Sequence, residues 1–114
     1  MEQIPFHITP AGSSEDFAAG RALMEAYARE LGRDLGFQNF EWEMEHLAEV
    51  YGSPRGCLLL GRSGTDAVGC VGLRERGRDV AEMKRLYLRP EQRGKGLATL
   101  LATVCVGQAR AMSR

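Results

Sequence analysis

The sequence has no apolar run approaching the roughly 20 residues that a bilayer span requires. Its start, Met1-Glu2-Gln3-Ile4-Pro5, lacks both the basic n-region and the apolar core of a secretory leader. Net charge is absent too: 15 basic and 15 acidic residues cancel over 114 positions. That balance excludes a polycation built for nucleic acid and an acidic disordered tail. The expectation is therefore a cytoplasmic protein with neither nucleic-acid nor membrane partners. Cysteine is sparse, with Cys57, Cys70 and Cys105 forming no Cys-x-x-Cys pair. An odd number cannot all pair within one chain, and all three lie in apolar runs, so they read as small buried hydrophobes. His7 and His46 are far from any cysteine in sequence, and no metal site is expected. Lysine is scarce beside arginine, two against thirteen, which fits a GC-rich bacterial genome better than a chemical need.

What remains is an ordinary globular composition, 44% hydrophobic and 26% charged, at a length that suits one domain over residues 1–114. Ile4, Phe6 and Ile8 alternate with polar residues up to Pro10, as in a half-buried strand. Gly12-Ser13-Ser14-Glu15-Asp16 offers a capping serine and first-turn acids. Phe17, Leu23, Met24, Tyr27 and Leu31 follow at helical spacing as far as Gly32. Phe40, Met44, Leu47 and Val50 predict a second helix, stopped by Gly52-Ser53-Pro54. The period then becomes extended: Cys57 to Leu60, a turn at Ser63 to Asp66, a strand from Ala67 to Arg74, a turn at Gly77 to Asp79, and a strand from Val80 to Leu88. A last helix carries Leu97, Leu100, Leu101, Val104 and Cys105 as its expected buried stripe. The order is β-α-α-β-β-β-α, without repeats or low-complexity linkers.

Chemistry concentrates in the passage from Glu82 to Ala98, where a strand runs into Arg93-Gly94-Lys95-Gly96 and then a helix. Amides at a helix N-terminus are unpaired and sit at the positive end of the helix dipole. Glycines let a phosphate approach that backbone, and Arg93 and Lys95 add positive charge. The residues therefore describe a pyrophosphate-binding loop. It is not a Walker loop, since the lysine precedes Gly96 and no Ser or Thr follows it, and its glycine spacing is wrong for a dinucleotide fingerprint.

This segment resembles motif A of the GNAT superfamily of N-acetyltransferases. The family signature, Arg or Gln, two residues, Gly, one residue, then Gly or Ala, is met by Arg93, Gly96 and Ala98. Lys84-Arg85-Leu86-Tyr87-Leu88-Arg89-Pro90 also looks like the family's strand-to-loop passage, and the order of elements agrees on both sides. The resemblance implies an α/β fold with a mixed, mostly antiparallel sheet, whose family continuation (a strand, a helix and further strands) would follow Arg114. It implies acetyl-CoA as acyl donor, with its pyrophosphate held by Arg93, Gly94, Lys95, Gly96, Leu97 and Ala98. The pantetheine arm would meet main-chain groups of Leu86, Tyr87 and Leu88. Glu82, eleven residues before Arg93, corresponds to a general base that would take the proton an ammonium acceptor must lose. Transfer in the family is direct, within a ternary complex, so no cysteine nucleophile is required.

Each assignment has a plainer competitor. Glu82 can be a strand carboxylate paired with an arginine, Lys84 and Arg85 can be solvated or salt-bridged, and Tyr87 can be packing. His46 suits a solvated helix face. Glu41, Glu43 and Glu45 would form an acidic rim on the acceptor pocket, favouring cationic amines, if the resemblance extends that far. Three readings of function stay open: an N-acetyltransferase acting on a primary amine, a noncatalytic acyl-CoA-binding or regulatory domain, and a homodimer completed across the strand that begins near Val80.

Overall fold

The computed structural model describes residues 5–32 and 39–112. Strand β1 (Phe6–Pro10) leads to helix α1 (Ser14–Leu31), two short helices α2 (Phe40–Glu45) and α3 (Leu47–Val50), strands β2 (Gly56–Ser63), β3 (Asp66–Gly77) and β4 (Val80–Leu88), and helix α4 (Leu97–Met112). The expected Ile4 of the first strand lies outside the described residues. The four strands form one sheet in the order β1-β2-β3-β4, and every pairing is antiparallel. None of the described helices is long and apolar enough to cross a membrane.

Local chemistry explains the boundaries. The Ser13 side chain accepts from the Asp16 amide at 3.1 Å, and Asp16 in turn accepts from the Ser13 amide, a reciprocal cap. Gly32 ends α1 in the left-handed conformation with φ 65°. The single second helix expected from Phe40 to Val50 is instead broken at His46. The His46 Nδ1 lies 2.7 Å from the Trp42 carbonyl, which the helical His46 amide would otherwise use. The amide turns to Glu43 O at 3.0 Å, and the helical path restarts at Leu47. β3 runs three residues past the expected Arg74, because Glu75 pairs with Ala81 and also donates its amide to Arg55 O at 2.8 Å.

Both faces of the sheet are covered. Leu58 and Leu60 point to α1, α2 and α3, joining Leu23, Met24, Met44, Leu47 and Tyr51; Leu59 points the other way, to Val71, Leu73, Leu101 and Cys105 under α4. A strand buried on both faces is apolar at every position, which is why β2 shows no alternation. The α4 stripe is narrower than expected: Leu101 and Cys105 are buried, whereas Leu100 and Val104 are 43% and 36% exposed. One helix on a sheet buries one row of side chains, and those two lie on its flank. Cys70 and Cys105 are buried and Cys57 is half-buried, all as free thiols. Burial pushes the Cys70 thiol up to about 12, so it is inert at neutral pH.

Gly72 lies in close contact with the ring of Tyr51. A Cβ there would lie 2.5 Å from Cε1 of Tyr51, whose ring is fully buried. Gly72→Ala is therefore expected to destabilise the protein by about 1–3 kcal/mol. Urea unfolding of the variant checks this, and an unchanged midpoint would show that the ring can move aside.

Candidate functional site

The described part of β4 is not a regular strand. Between the pairs Cys70–Tyr87 and Gly72–Lys84, β4 contains one more residue than β3, and Arg85 sits there at φ +61°. This bulge turns Lys84 and Arg85 to the same face. Arg85 is buried and donates through Nε and Nη2 to the two carboxylate oxygens of Glu43, each at 3.0 Å. Tyr51 donates its hydroxyl to Glu43 Oε2 at 2.7 Å, Lys84 Nζ stands 4.0 Å from Oε1, and the Arg85 guanidinium lies 5.4 Å from the centre of the Phe40 ring. Burial alone would raise the Glu43 pKa, but the bonds from Arg85 and Tyr51 outweigh it and hold the carboxyl below its ordinary value. Burial and the adjacent carboxylate push the Tyr51 hydroxyl far up.

The other end of β4 is fixed by Arg93. Its guanidinium donates twice to the Leu88 carbonyl, at 3.0 and 2.7 Å, pairs with Glu30 Oε1 at 2.7 Å, and lies 5.5 Å from the centre of the Tyr87 ring. Tyr87 donates to Glu30 Oε2 at 2.9 Å. Those two donors, Arg93 first, hold the Glu30 carboxyl below its ordinary value. The loop thus leaves β4 through a three-way link to α1. Beyond it, Gly94 and Gly96 adopt φ +82° and +79°, values that side chains resist, and a Cβ at either would meet nothing within 4 Å. The α4 ladder opens with the Leu100 amide on Gly96 O at 3.2 Å, leaving the preceding amides at the positive end of a 16-residue helix. Lys95 is exposed beside them. A cleft of about 310 Å³ adjoins the loop, lined by Tyr27, Glu30, Leu86, Tyr87, Leu88, Arg93 and Ala98 among others. Bare backbone, unpaired amides and a free ammonium are the donor set a pyrophosphate needs.

The acetyltransferase (GNAT) family model matches residues 21–114. The chain belongs to the GNAT acetyltransferase family. An uncharacterized N-acetyltransferase of Schizosaccharomyces pombe is 42% identical over 90 residues, covering 76% of this chain and 55% of that protein. The chain therefore spans about half the length of this curated relative. A GNAT-family acetyltransferase from Staphylococcus aureus Mu50 superposes with a TM-score of 0.76 at 13% identity, covering 94% of this chain and 67% of that one. PaiA N-acetyltransferase from Thermoplasma acidophilum, solved in complex with coenzyme A, superposes with a TM-score of 0.71 at 17% identity, covering 94% and 73%. At such identities the likeness establishes the GNAT fold.

On this GNAT frame the expected site residues divide into two groups. Leu86, Tyr87, Leu88, Arg93 and Ala98 gather around one cleft, with Gly94, Lys95, Gly96 and Leu97 forming the loop beside it. The side chain of Arg93 turns back onto Leu88 O and Glu30, away from the open face of the loop. Glu82 stands apart, six residues before Leu88 and so roughly 20 Å along the strand. It shares the face of Lys84, lies opposite Arg74, and its Oε1 is 3.6 Å from Arg76 Nη1. That oxygen is buried without a hydrogen-bond partner.

The expected acidic rim is not found. Glu43 is withdrawn into the pair with Arg85, and Glu41 and Glu45 are exposed. The cleft of about 360 Å³ under Trp42 carries Arg55, Arg74 and Arg76 as well as Glu49 and Glu75. The requirement for a buried partner to Arg85 decides where Glu43 goes. His46 is not simply solvated either, since its ring stacks on Trp42 at 4.0 Å. Glu43 and Tyr51 were invisible as site-forming residues because their partner is 42 positions away from the first of them. The only local trace is an arginine placed among apolar residues of a strand.

Glu43→Gln is expected to destabilise the fold strongly, by about 3–5 kcal/mol, because it leaves the Arg85 charge buried without its counter-ion. The sign with pH follows from the lowered pKa. The stabilisation by Glu43 is complete above the ordinary value of 4.5 and is lost as pH falls through the lower folded value. Denaturant titrations from neutral to acid pH check this: the wild-type acid decline should shrink in Glu43→Gln.

Proposed function

We propose that the chain contributes the donor-binding part of an acetyl-CoA-dependent N-acetyltransferase, which transfers an acetyl group to a primary amine of a small molecule or peptide within a ternary complex. The observation that carries this reading is the open loop at Gly94 and Gly96, with its two positive φ angles and free approach to the backbone. Amides from Gly94 to Ala98 and the Lys95 ammonium would hold the pyrophosphate. Arg93 would act through the backbone, by fixing where β4 ends and the loop begins.

An arm extended from that loop along the free edge of β4 would meet main-chain groups of Leu86, Tyr87 and Leu88, and would run toward Glu82. Glu82 would take the proton released when the amine nitrogen attacks the thioester carbonyl. The carbon–sulfur bond then breaks as the amide forms, and the sulfur leaves with the electron pair. The Glu82 Oε1 atom supports this role, since it accepts no hydrogen bond and has only the Arg76 guanidinium beside it at 3.6 Å. Trp42, half exposed above the cleft that carries Arg74 and Arg76, would bound the acceptor side. The mixture of charges there does not select for polycations. Three free thiols suit a reducing compartment such as the cytoplasm.

Calorimetric titration with acetyl-CoA tests the donor site, with micromolar affinity expected. Gly96→Asp should abolish binding, because a side chain strained at φ +79° would also place an anion against the pyrophosphate. Unchanged affinity in the folded variant would sink the loop assignment. Glu82→Gln should retain acetyl-CoA affinity and lower the transfer rate about 10²–10⁴-fold, most of all below the pKa of the amine. Wild-type turnover by that variant would place the base elsewhere. Binding by the wild type without transfer to any amine would identify an acyl-CoA-binding module instead.

A further inference from the structure

The cleft beneath Trp42 is walled by α2, α3, the turn into β2 and the end of β3, so no part of its lining comes from the edge of β4. Most of its charges are already paired. Arg55 bonds Glu75 at 3.0 Å, and Arg76, the extra residue of a bulge in β3, stands 3.6 Å from Glu82 Oε1. Arg74 is different. It is half-buried, lies directly opposite Glu82 in the β3–β4 ladder, and among the described residues has no carboxylate within ion-pair distance. A half-buried guanidinium without a counter-ion is a site for an anion, and its planar fork matches a carboxylate.

The surroundings narrow the ligand further. Arg55, Arg74 and Arg76 are balanced by Glu49, Glu75 and Glu82, so the cleft has no net charge. A polycation or a polyanion would meet like charge there, whereas a zwitterion meets opposite charge at both ends. Residues directly opposite in an antiparallel pair have Cβ atoms about 5 Å apart, a step that an amine and a carboxylate on one carbon can span from Glu82 to Arg74. The Glu82 side chain is 41% exposed, which leaves carboxylate surface for an amine while Oε1 stays beside Arg76. Trp42, 51% exposed and stacked on His46, lines the same cleft with Val50 and offers an apolar wall. A volume of about 360 Å³ is at the lower end for small-molecule sites, which favours a single residue over a peptide segment.

We propose that the acceptor is a free α-amino acid with an apolar side chain, its carboxylate held by Arg74 and its α-amine set against Glu82, a reading that rests on the transferase function proposed above. The α-nitrogen bonds to the acetyl carbon, its proton passes to Glu82, and the carbon–sulfur bond breaks with the electron pair leaving on sulfur. The apolar side chain lies against Trp42 and Val50.

Trp42 is the sole tryptophan, so its emission reports occupancy of the cleft without acetyl transfer. L-leucine should change that emission saturably, with a Kd of about 1 mM or tighter, measured alone and with saturating coenzyme A. L-leucinamide keeps the amine and loses the carboxylate; 4-methylpentanoate keeps the carboxylate and loses the amine. Each should bind at least about tenfold more weakly than leucine. Arg74→Gln should weaken leucine by a similar factor and leave leucinamide unchanged, with the circular dichroism of the wild type, and Arg74→Lys should recover part of the loss. Leucinamide binding as tightly as leucine would point to peptide N-termini or simple amines and overturn the proposal. So would a folded Arg74→Gln that binds leucine normally, or a wild type that gives no response to leucine in either condition. A chain that binds leucine but not acetyl-CoA would keep the amino-acid site and lose the transferase reading, so the two failures are separate.

Discussion

The buried pair of Glu43 and Arg85 is the constraint on which the geometry of β4 depends. A non-glycine residue in the left-handed region costs roughly 1–2 kcal/mol, and Arg85 adopts it in the middle of a strand. The conformation persists because it delivers the guanidinium to a carboxylate on α2, with a tyrosine from the end of α3 completing the carboxylate's shell. A lone arginine at that depth would be prohibitive. Fully bonded, the cluster ties two short helices to the sheet. Neither α2, with six residues, nor α3, with four, would be stable in isolation.

The bulge divides the strand into two stretches of different geometry. Before it, side chains alternate and Glu82 faces the helices α2 and α3. After it, Tyr87 and Leu88 carry the chain to the loop, where Arg93 takes over as the fixing residue. Arg93 and Arg85 thus do equivalent jobs at two ends of one short stretch. Each cation is spent on a carboxylate from an N-terminal helix, Glu30 or Glu43. The start of the loop between β4 and α4 is consequently held by the ion pair and hydrogen bonds of Arg93, and the cation that remains exposed beside it is Lys95. That division leaves an exposed ammonium beside the loop in a chain with no net charge.

Much of this was legible in the sequence, for physical reasons that differ from element to element. β4 was read at its observed limits because a turn precedes it and Pro90 follows it, and α1 because Ser13 and Gly32 carry their own cap chemistry. The bend at Gly94 and Gly96 was legible because glycines at a helix start mark a backbone that takes positive φ, and both do so here. What the sequence hid was non-local. Nothing near Glu43 marks it as buried rather than solvated, since its partner comes from the far side of the chain. The break at His46 depends on one side chain capturing a carbonyl within hydrogen-bond reach, which periodicity does not register. The exposure of Leu100 and Val104 reflects what covers α4, and that is a property of packing rather than of the helix.

These non-local terms also bear on why an edge like β4 persists. An exposed strand is normally protected by disrupting its pairing or by charging it. The bulge does the first at Arg85, but it is placed there by the need to bury a guanidinium against Glu43, so it cannot also protect residues 80–84. Those residues carry one acid and one base two positions apart, and each already has a partner in the chain: Glu82 Oε1 lies 3.6 Å from Arg76 Nη1 and Lys84 Nζ 4.0 Å from Glu43 Oε1. The same buried ion pair thereby shapes the strand on both sides of the bulge, drawing Lys84 toward Glu43 before it and fixing where Leu86 begins after it.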